Sequence, residues 1–368
     1  MSFSFGSKIR ITIFGQSHSD GIGVVIDGLP SGEEIDLQRV QAFMKRRAPG
    51  RNPYSTPRKE EDWPRILSGL FQGKTCGAPL CAVIENLNTR SKDYEALKDI
   101  PRPGHADYTA YVKYNGCWDY RGGGHFSGRL TAPLCFAGGV AKQLLERKGI
   151  SIGARILSVY DRKDAPLDES LLSKELLDSF EQQDFPVLSQ QAGESMKQAI
   201  SEALHAEDSL GGVVECYALG LPPGIGEPFF DGLESRLSAA VFAIPAVKGV
   251  EFGAGFQAAF MKGSENNDGY VQKEAQKEKQ GKTILRTLTN HHGGSLGGIS
   301  SGMPLILRAA FKPTPSIGAP QRSVRLSDAS PALLRVEGRH DPCIVPRAVP
   351  CVEAAVAVSL LDLWYLAR

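Results

Sequence analysis

Glycine in this chain is gathered into short clusters, and these clusters restrict the folds that the chain can adopt. The sequence has 40 glycines in 368 residues, more than the roughly 7% of average usage. The clusters lie at Gly122–Gly124, Gly211–Gly212, Gly293–Gly294 and Gly297–Gly298. They have no G-X-Y period and are separated by apolar segments, which excludes collagen-like and low-complexity structures. Clustered glycine therefore indicates backbone that turns tightly or lies close to a ligand.

The apolar segments between the clusters predict both strands and helices. Runs of β-branched and apolar residues predict strands, and apolar residues three or four apart predict helices. The predicted strands are Ile9–Phe14, Val24–Ile26, Leu80–Ile84, Ile152–Val159, Val213–Leu219 and Leu305–Phe311, and the predicted helices are Leu37–Arg47, Leu130–Lys148, Leu171–Gln182, Ser195–Ala206, Phe230–Phe242 and Cys351–Leu366. Strands and helices do not alternate strictly, which favours an α+β fold with mixed or antiparallel sheets over a doubly wound parallel sheet.

Two segments about half a chain apart resemble each other. Gly23–Gly32 and Gly212–Gly224 both contain an apolar strand and a G-L-P turn, and each precedes a predicted helix. This predicts an internal pseudo-repeat in which two related halves share one core, and therefore a single domain over residues 1–368. Residues 262–282 are polar and dense in charge, so we predict a mobile polar loop there.

Charge and cysteine content disfavour several classes of protein. The chain has 42 Lys plus Arg against 41 Asp plus Glu, a formal net charge of +1, so bulk charge indicates neither nucleic acid nor a membrane surface as a partner. The 7 cysteines form no C-x-x-C motif, which predicts reduced thiols in a cytosolic protein. The N-terminus lacks the apolar segment of a signal peptide. The stretch Val349–Leu366 is interrupted by Glu353 and Asp362, which predicts a packed amphipathic helix rather than a membrane span.

Histidine and basic residues gather in the turn-rich segments. Six of the seven histidines lie in loops rich in Gly, Pro or Ser: His18, His105, His125, His291, His292 and His340. Loops on a rigid scaffold often hold binding and catalytic groups, and histidine titrates near neutral pH. The basic residues beside these turns are Arg46, Arg47, Arg51, Arg102, Arg121, Arg129, Lys312 and Arg339. Arginine binds phosphate and carboxylate, and Gly-rich turns expose backbone N–H groups, so the set predicts a pocket for a ligand with several negative charges.

Other nucleotide and metal sites are disfavoured. Ser68–Thr75 resembles a P-loop, but a serine stands where the first glycine belongs and no fitting strand precedes it. No G-x-G-x-x-G opens a βα unit, and no H-E-x-x-H motif is present. We therefore expect neither a Rossmann fingerprint nor a catalytic metal.

Ten short motifs follow one another in the order found in the chorismate synthase family, and the resemblance covers nearly the whole chain. They are Gly15–His18, Arg46–Gly50, Arg102–Asp107, Asp119–Gly124, Ser127–Thr131, Asp208–Ser209, Ala246–Glu251, Gly293–Ser300, Lys312–Thr314 and Gly338–Cys343. Each motif is weak alone, but ten in order are highly specific.

The resemblance implies a lyase of the shikimate pathway. Members of the family remove phosphate and a ring proton from 5-enolpyruvylshikimate 3-phosphate by anti-1,4-elimination, which yields chorismate. Reduced FMN is required although no net redox change occurs. The proton is not acidic, so a transient electron from the flavin assists the departure of phosphate, and the protein positions and tunes the cofactor.

The resemblance also implies roles for individual residues. His18 would act as general acid toward the leaving phosphate, His105 would stabilise the anionic flavin, and Asp341 would assist proton removal through flavin N5. Arg47, Arg129 and Arg339 would hold the phosphate and carboxylates of the substrate. The FMN-binding residues would be His125, Phe126, Ser127, Pro245, Ala246, Gly297, Lys312, Pro313, Thr314, Pro315, Ser316 and Arg339. Residues that bind NADP or substrate would be Arg46, Arg47, Arg51 and Arg129.

The family's architecture and partners form the remaining expectations. The resemblance implies a β-α-β sandwich with helices between two antiparallel sheets, assembled as a cytoplasmic homotetramer. The chain resembles monofunctional members of the family, which lack a flavin-reductase domain, so reduced flavin would come from an external reductase or from NADPH bound around Arg47. The chain departs from the family at Gln16, at Ser19–Asp20 and at Pro53, where many members carry an arginine that Arg51 would replace.

Two alternatives to this function remain at the level of sequence. One is another flavoenzyme or phosphate-handling enzyme with the same anion pocket. The other is a non-catalytic RNA-binding protein that uses the arginine loops. The arginines alternate with Gly and Pro rather than with stacking aromatic residues, which disfavours RNA binding.

Overall fold

The computed structural model describes residues 3–50, 61–87, 97–271, 285–336 and 340–367. The helices are α1 (Leu37–Arg47), α2 (Asp107–Lys113), α3 (Thr131–Glu146), α4 (Lys174–Gln182), α5 (Gln190–His205), α6 (Leu233–Phe242), α7 (Gly263–Asn266) and α8 (Val345–Leu366). The strands are β1 (Ser4–Phe5), β2 (Arg10–Gly15), β3 (Gly21–Asp27), β4 (Arg65–Ser68), β5 (Leu70–Phe71), β6 (Lys74–Thr75), β7 (Leu80–Glu85), β8 (Ser151–Val159), β9 (Arg162–Lys163), β10 (Gly212–Leu219), β11 (Val247–Phe252), β12 (Tyr270–Val271), β13 (Arg286–Thr287), β14 (Ser295–Leu296), β15 (Ile299–Ser300), β16 (Leu305–Phe311), β17 (Gln321–Val324) and β18 (Pro331–Leu334).

The first sheet is antiparallel and has the strand order β1-β2-β3-β7-β4. In β3, the side chains of Ile22, Val24 and Ile26 are buried at every second position. Side chains at alternate positions of a strand point to the same face. This face of the sheet is therefore apolar and needs a covering layer.

The second sheet is also antiparallel and has the order β11-β16-β10-β8-β9. In β10, Val214 and Cys216 belong to the main hydrophobic core. The neighbouring Tyr217 belongs to a smaller cluster with Leu177 and Phe180 of α4. Both faces of the central strands are thus covered, one by the main helix layer and the other by α4.

Helices α1, α3 and α8 form the layer between the two sheets, and one hydrophobic cluster runs through all three layers. The cluster joins Val24 of the first sheet, Leu144 of α3, Leu360 of α8 and Val214 of the second sheet. This arrangement confirms the predicted α+β fold with helices between two antiparallel sheets. The two similar sequence segments each form a strand that is followed by a turn and a helix. The first segment gives β3 and α1, and the second gives β10 and α6.

Helix α8 lies along the centre of the molecule and is the one helix of the described ranges that is long and apolar enough to cross a membrane. The helix is buried on nearly all sides. The prediction of a packed helix is therefore right, and the prediction that one of its faces is polar is wrong.

The two acidic residues of α8 are both paired. Glu353 accepts hydrogen bonds from Arg46 and Lys142, and Asp362 accepts from the backbone N–H groups of residues 7–9.

The polar segment predicted to be a mobile loop is only partly described. Its first residues form α7 and β12, and β12 pairs with β13. Residues 272–282 lie outside the described ranges. Mobility over 262–282 therefore stays a prediction.

Candidate active site

A cavity of about 540 Å³ opens where the start of α3, the start of α8 and several loops meet. Its size is within the range of sites that enclose small molecules and cofactors. Many of the residues chosen from the sequence line its wall: Arg47, His105, His125, Phe126, Ser127, Arg129, Pro245, Ala246, Lys312, Thr314, Pro315, Ser316 and Asp341. Segments up to about 300 positions apart in the chain thus converge on one cavity.

Two buried arginines in the wall share one carboxylate. Arg47 Nη1 donates to Asp62 Oδ2 at 2.6 Å, and Arg129 Nη1 donates to Asp62 Oδ1. All three side chains are at least nine-tenths buried. Burial opposes ionisation of Asp62, but the two guanidinium groups outweigh burial and hold its pKa below the ordinary value.

His105 is held by a second buried ion pair. Its Nδ1 lies 2.6 Å from Asp107 Oδ1, and Arg102 donates to the same carboxylate from Nε at 2.7 Å and from Nη2 at 2.8 Å. Arg102 also donates to Ser316 Oγ at 3.0 Å. Burial lowers the pKa of His105, and the charge of Arg102 adds to this while the hydrogen bond to Asp107 opposes it. His105 is therefore neutral at pH 7, and its Nδ1 lies within hydrogen-bond distance of both Asp107 Oδ1 and Arg102 Nη2.

The triple glycine explains how His18 is placed. Gly122, Gly123 and Gly124 all have positive φ, at 59°, 81° and 54°, a region that favours glycine. A Cβ atom on Gly122 would lie 2.3 Å from Cε1 of His18. Gly122 lines the cavity, whereas the buried His18 lies directly behind it. The Ser17 N–H donates to Gly124 O at 3.1 Å, which joins the two turns.

Asp341 faces the cavity from the segment before α8. It accepts a hydrogen bond from Arg347 Nη1. Arg347 in turn donates from Nε to the backbone oxygen of Arg47 at 3.0 Å. The carboxylate is therefore tied through Arg347 to the end of α1, on the same side as the arginine pair.

The predicted flavin-binding loops form a further part of the wall. The rings of His125 and Phe126 lie with centroids 4.2 Å apart. Ala246 has φ +75°, and its oxygen accepts from the Lys312 N–H at 3.0 Å. The Lys312 ammonium donates to Gly104 O, which brings this loop against the His105 segment. Apolar surface next to a cationic edge suits a flat aromatic ring that carries an anionic group.

Three of the predicted binding residues are described by the structure but are not part of this wall. The Arg46 guanidinium makes two hydrogen bonds to Glu353 inside the helix layer. Gly297 lies in the turn between β14 and β15, and Pro313 lies between two wall residues without lining the cavity. The arrangement gives no support to a binding role for Arg46. Arg51, Pro53 and Arg339 lie outside the described residues.

The sequence did not single out several residues that organise the site. Asp62 and Asn86 hold the arginine pair, and Arg347 holds Asp341. Asp107 stands within the H-A-D motif, two residues after His105. This spacing could have predicted a contact between the two side chains. Asp62, by contrast, lies beside a polar segment with no pattern that points to the arginines.

The charged side chains of the cavity wall indicate the charge of the ligand. The charged residues that line the cavity are Arg47, Arg102, Arg129, Lys312, Arg347 and the carboxylate Asp341. Such a wall favours a ligand with several negative charges. Among the described residues, no group of three or more His, Cys, Asp or Glu side chains could hold a metal ion.

Comparison with known proteins points to one family. The family model for chorismate synthase matches residues 9–365. The chain is 45% identical to chorismate synthase of Lancefieldella parvula over 376 residues, which cover 99% of this chain and 97% of that protein. It is 45% identical to chorismate synthase of Thermococcus kodakarensis over 358 residues, which cover 97% and 96%. A crystal structure of chorismate synthase matches with a TM-score of 0.73 and 28% identity over 97% of this chain and 91% of that one.

Proposed function

The chain belongs to the chorismate synthase family, and we propose that it forms chorismate by anti-1,4-elimination of phosphate from 5-enolpyruvylshikimate 3-phosphate, with reduced FMN in the cavity. The observation that supports this most directly is the convergence of His105, Asp341 and the pair Arg47 and Arg129 on one cationic cavity. A substrate with a phosphate and two carboxylates matches that charge.

The residues of the wall fit FMN. The rings of His125 and Phe126, tilted by 35° with centroids 4.2 Å apart, supply aromatic surface, and Lys312, Thr314 and Ser316 supply a cation and hydroxyl groups in the same wall. Reduced FMN, when bound, supplies the transient electron that lets an allylic phosphate leave. The protein would position it and exclude water from it.

Three residues would move or hold protons. Asp341 would assist removal of the ring proton, since it lines the cavity and is held by Arg347. His105 would stay neutral beside the flavin because burial and Arg102 lower its pKa. His18 would protonate the departing phosphate at the edge of the cavity behind Gly122.

The partners follow from the same proposal. We propose that the chain is a cytoplasmic homotetramer and that an external reductase or NADPH near Arg47 supplies the reduced flavin. Large aromatic side chains on the surface support self-association, among them Phe229 at 86% and Phe230 at 91% exposure. These two residues belong to a short 3-10 helix before α6.

An anaerobic assay tests the proposed function. The purified protein with chemically reduced FMN is expected to convert 5-enolpyruvylshikimate 3-phosphate into equal amounts of chorismate and inorganic phosphate. The same protein with oxidised FMN is the control and is expected to release neither. Absence of phosphate release under reducing, anaerobic conditions would refute the proposal.

A further inference from the structure

Asp62 lies between two guanidinium groups that would otherwise repel each other. Each of its oxygens accepts from a different arginine, Oδ2 from Arg47 and Oδ1 from Arg129. The Asp62 side chain is fully buried, and its backbone has φ +50°, a conformation that is rare outside glycine. A strained backbone that persists at a buried charge suggests a functional constraint at this position.

Other contacts fix the orientation of both arginines. Arg47 Nε donates to Thr131 Oγ1 at 3.0 Å, and Arg129 Nε donates to Asn86 Oδ1 at 3.0 Å. The Asn86 amide nitrogen donates to Gln16 O at 2.9 Å and to Ser19 O at 2.8 Å. Gln16 and Ser19 flank His18, so Asn86 connects Arg129 to the loop of the proposed general acid.

We infer that Asp62 is a positioning residue for the substrate, and this rests on the proposed function. It holds Arg47 and Arg129 side by side as one fork for an anionic group of the substrate, and Asn86 fixes that fork relative to His18. Among the described residues, the Asp62 carboxylate offsets part of the charge of the two guanidinium groups and keeps them close together. A preformed fork avoids the cost of ordering two long side chains when the substrate binds.

A structural role alone makes a different prediction. Removal of a carboxylate from two buried arginines destabilises any fold. A role in positioning adds a specific loss of substrate affinity, seen as a higher KM with little change in kcat, because the fork contacts the anionic group in both the ground state and the transition state. The split between KM and kcat therefore separates the two roles.

The experiment compares Asp62→Asn, Asn86→Ala and a matched control, Asp164→Asn. Asp164 is a fully buried partner of Arg155, with Nη1 and Oδ2 2.7 Å apart, and it lies outside the cavity. We expect Asp62→Asn to raise the KM for the substrate about tenfold with kcat changed less than about threefold. We expect Asp164→Asn to lower the thermal midpoint and leave KM unchanged.

Asn86→Ala tests the inference if Asp62→Asn does not fold. The Asn86 variant is less disruptive, because no buried charge loses its counter-ion in it. We expect it to raise KM by about threefold. Wild-type KM in every folded variant of Asp62 and Asn86, or an equal rise of KM in Asp164→Asn, would overturn the inference.

Binding of inorganic phosphate, measured by calorimetry, separates this inference from the proposed function. If the wild-type protein does not turn over the substrate, the function fails, and weaker phosphate binding in Asp62→Asn than in Asp164→Asn still supports the fork. If wild-type turnover is present and KM and phosphate affinity are both unchanged in Asp62→Asn, the function stands and the inference is wrong.

Discussion

At the scale of single residues, the site uses carboxylates behind the wall to orient the cationic and basic groups that face the cavity. Asp107 contacts both His105 and Arg102, and Asp62 contacts both Arg47 and Arg129. Burial raises the pKa of each carboxyl, but the paired cations hold the pKa of both below the ordinary value. Both groups therefore stay ionised at neutral pH and keep their partners in place.

Replacement of His105 by alanine tests the histidine at this scale. We expect His105→Ala to keep the fold and to lose about 100-fold in kcat, which is within the usual cost of removing one group that stabilises charge at the reacting centre. His205→Ala is the control, because His205 is exposed on α5 and should change neither quantity. Circular dichroism and anaerobic turnover measure the two effects. Full activity of His105→Ala would remove His105 from the mechanism.

The site residues differ in how far the sequence could predict them. His105 and Lys312 stand in short motifs of glycine and proline, so a local pattern predicted them. Asp62 and Asn86 act through contacts with residues 15 to 70 positions away, and no local pattern encodes those distances. Arg46 and Arg47 are neighbours in sequence, but consecutive helical residues point about 100° apart, and the structure directs only Arg47 to the cavity.

At the scale of elements, the fold depends on the close approach of α3 to α8. Periodic apolar residues predicted most helices to within a few residues, because burial of one face imposes the pattern. Helix α8 begins at Val345, six residues before the predicted start. The reason is that Pro346 lies in its first turn, where proline is tolerated, and Pro350 lies inside it. The helix thus continues through two prolines, although proline disfavours the interior of a helix.

Gly138 of α3 tests this contact. A Cβ atom there would lie 2.3 Å from Cβ of Ala354 in α8. We expect Gly138→Ala to lower the free energy of unfolding, because overpacking costs about 2 kcal/mol and outweighs the roughly 1 kcal/mol that alanine gains in a helix. Gly139→Ala is the matched control. A Cβ atom there would lie 3.3 Å from Val40 Cγ1, which has to shift by only a few tenths of an ångström. We expect little change, because this small strain offsets the gain in helix propensity. Equal stability of the two variants in urea unfolding would contradict the close approach.

At the scale of the whole molecule, exposed aromatic residues predict assembly. We expect light scattering to give four times the chain mass of 39.7 kDa, as the proposed homotetramer requires. Phe230→Ser is expected to shift the mass toward smaller species, because Phe230 is 91% exposed and exposed apolar groups gain from burial between subunits. Tyr160→Ser removes an aromatic residue that is 68% exposed elsewhere and serves as control. A wild-type mass of one chain would refute the tetramer.

Buried ion pairs across the molecule predict how its stability depends on pH. Burial opposes the charged forms of Asp62, Asp107 and Glu353, yet their cationic partners hold the pKa of each below its ordinary value. In the unfolded chain these carboxyls titrate near pH 4. Below that pH the unfolded state binds more protons than the folded state, so the stabilisation present at neutral pH is lost as the pH falls through the folded-state pKa values.

We therefore expect the urea midpoint to fall gently as the pH drops through about 6.5, because the unfolded state takes up a proton on His105 before the folded state does. We expect it to fall steeply from about pH 4 downward, where the carboxyls of the unfolded chain are protonated first. Glu353→Gln leaves Arg46 and Lys142 without their buried counter-ion, so it should lose about 3–5 kcal/mol at pH 7 and show a flatter dependence on pH. Asp328→Asn changes a fully exposed carboxyl and should follow the wild type. A wild-type midpoint that stays constant down to pH 3 would contradict this account. Protonated carboxyls cannot form ion pairs, so constant stability would mean that these pairs do not stabilise the fold.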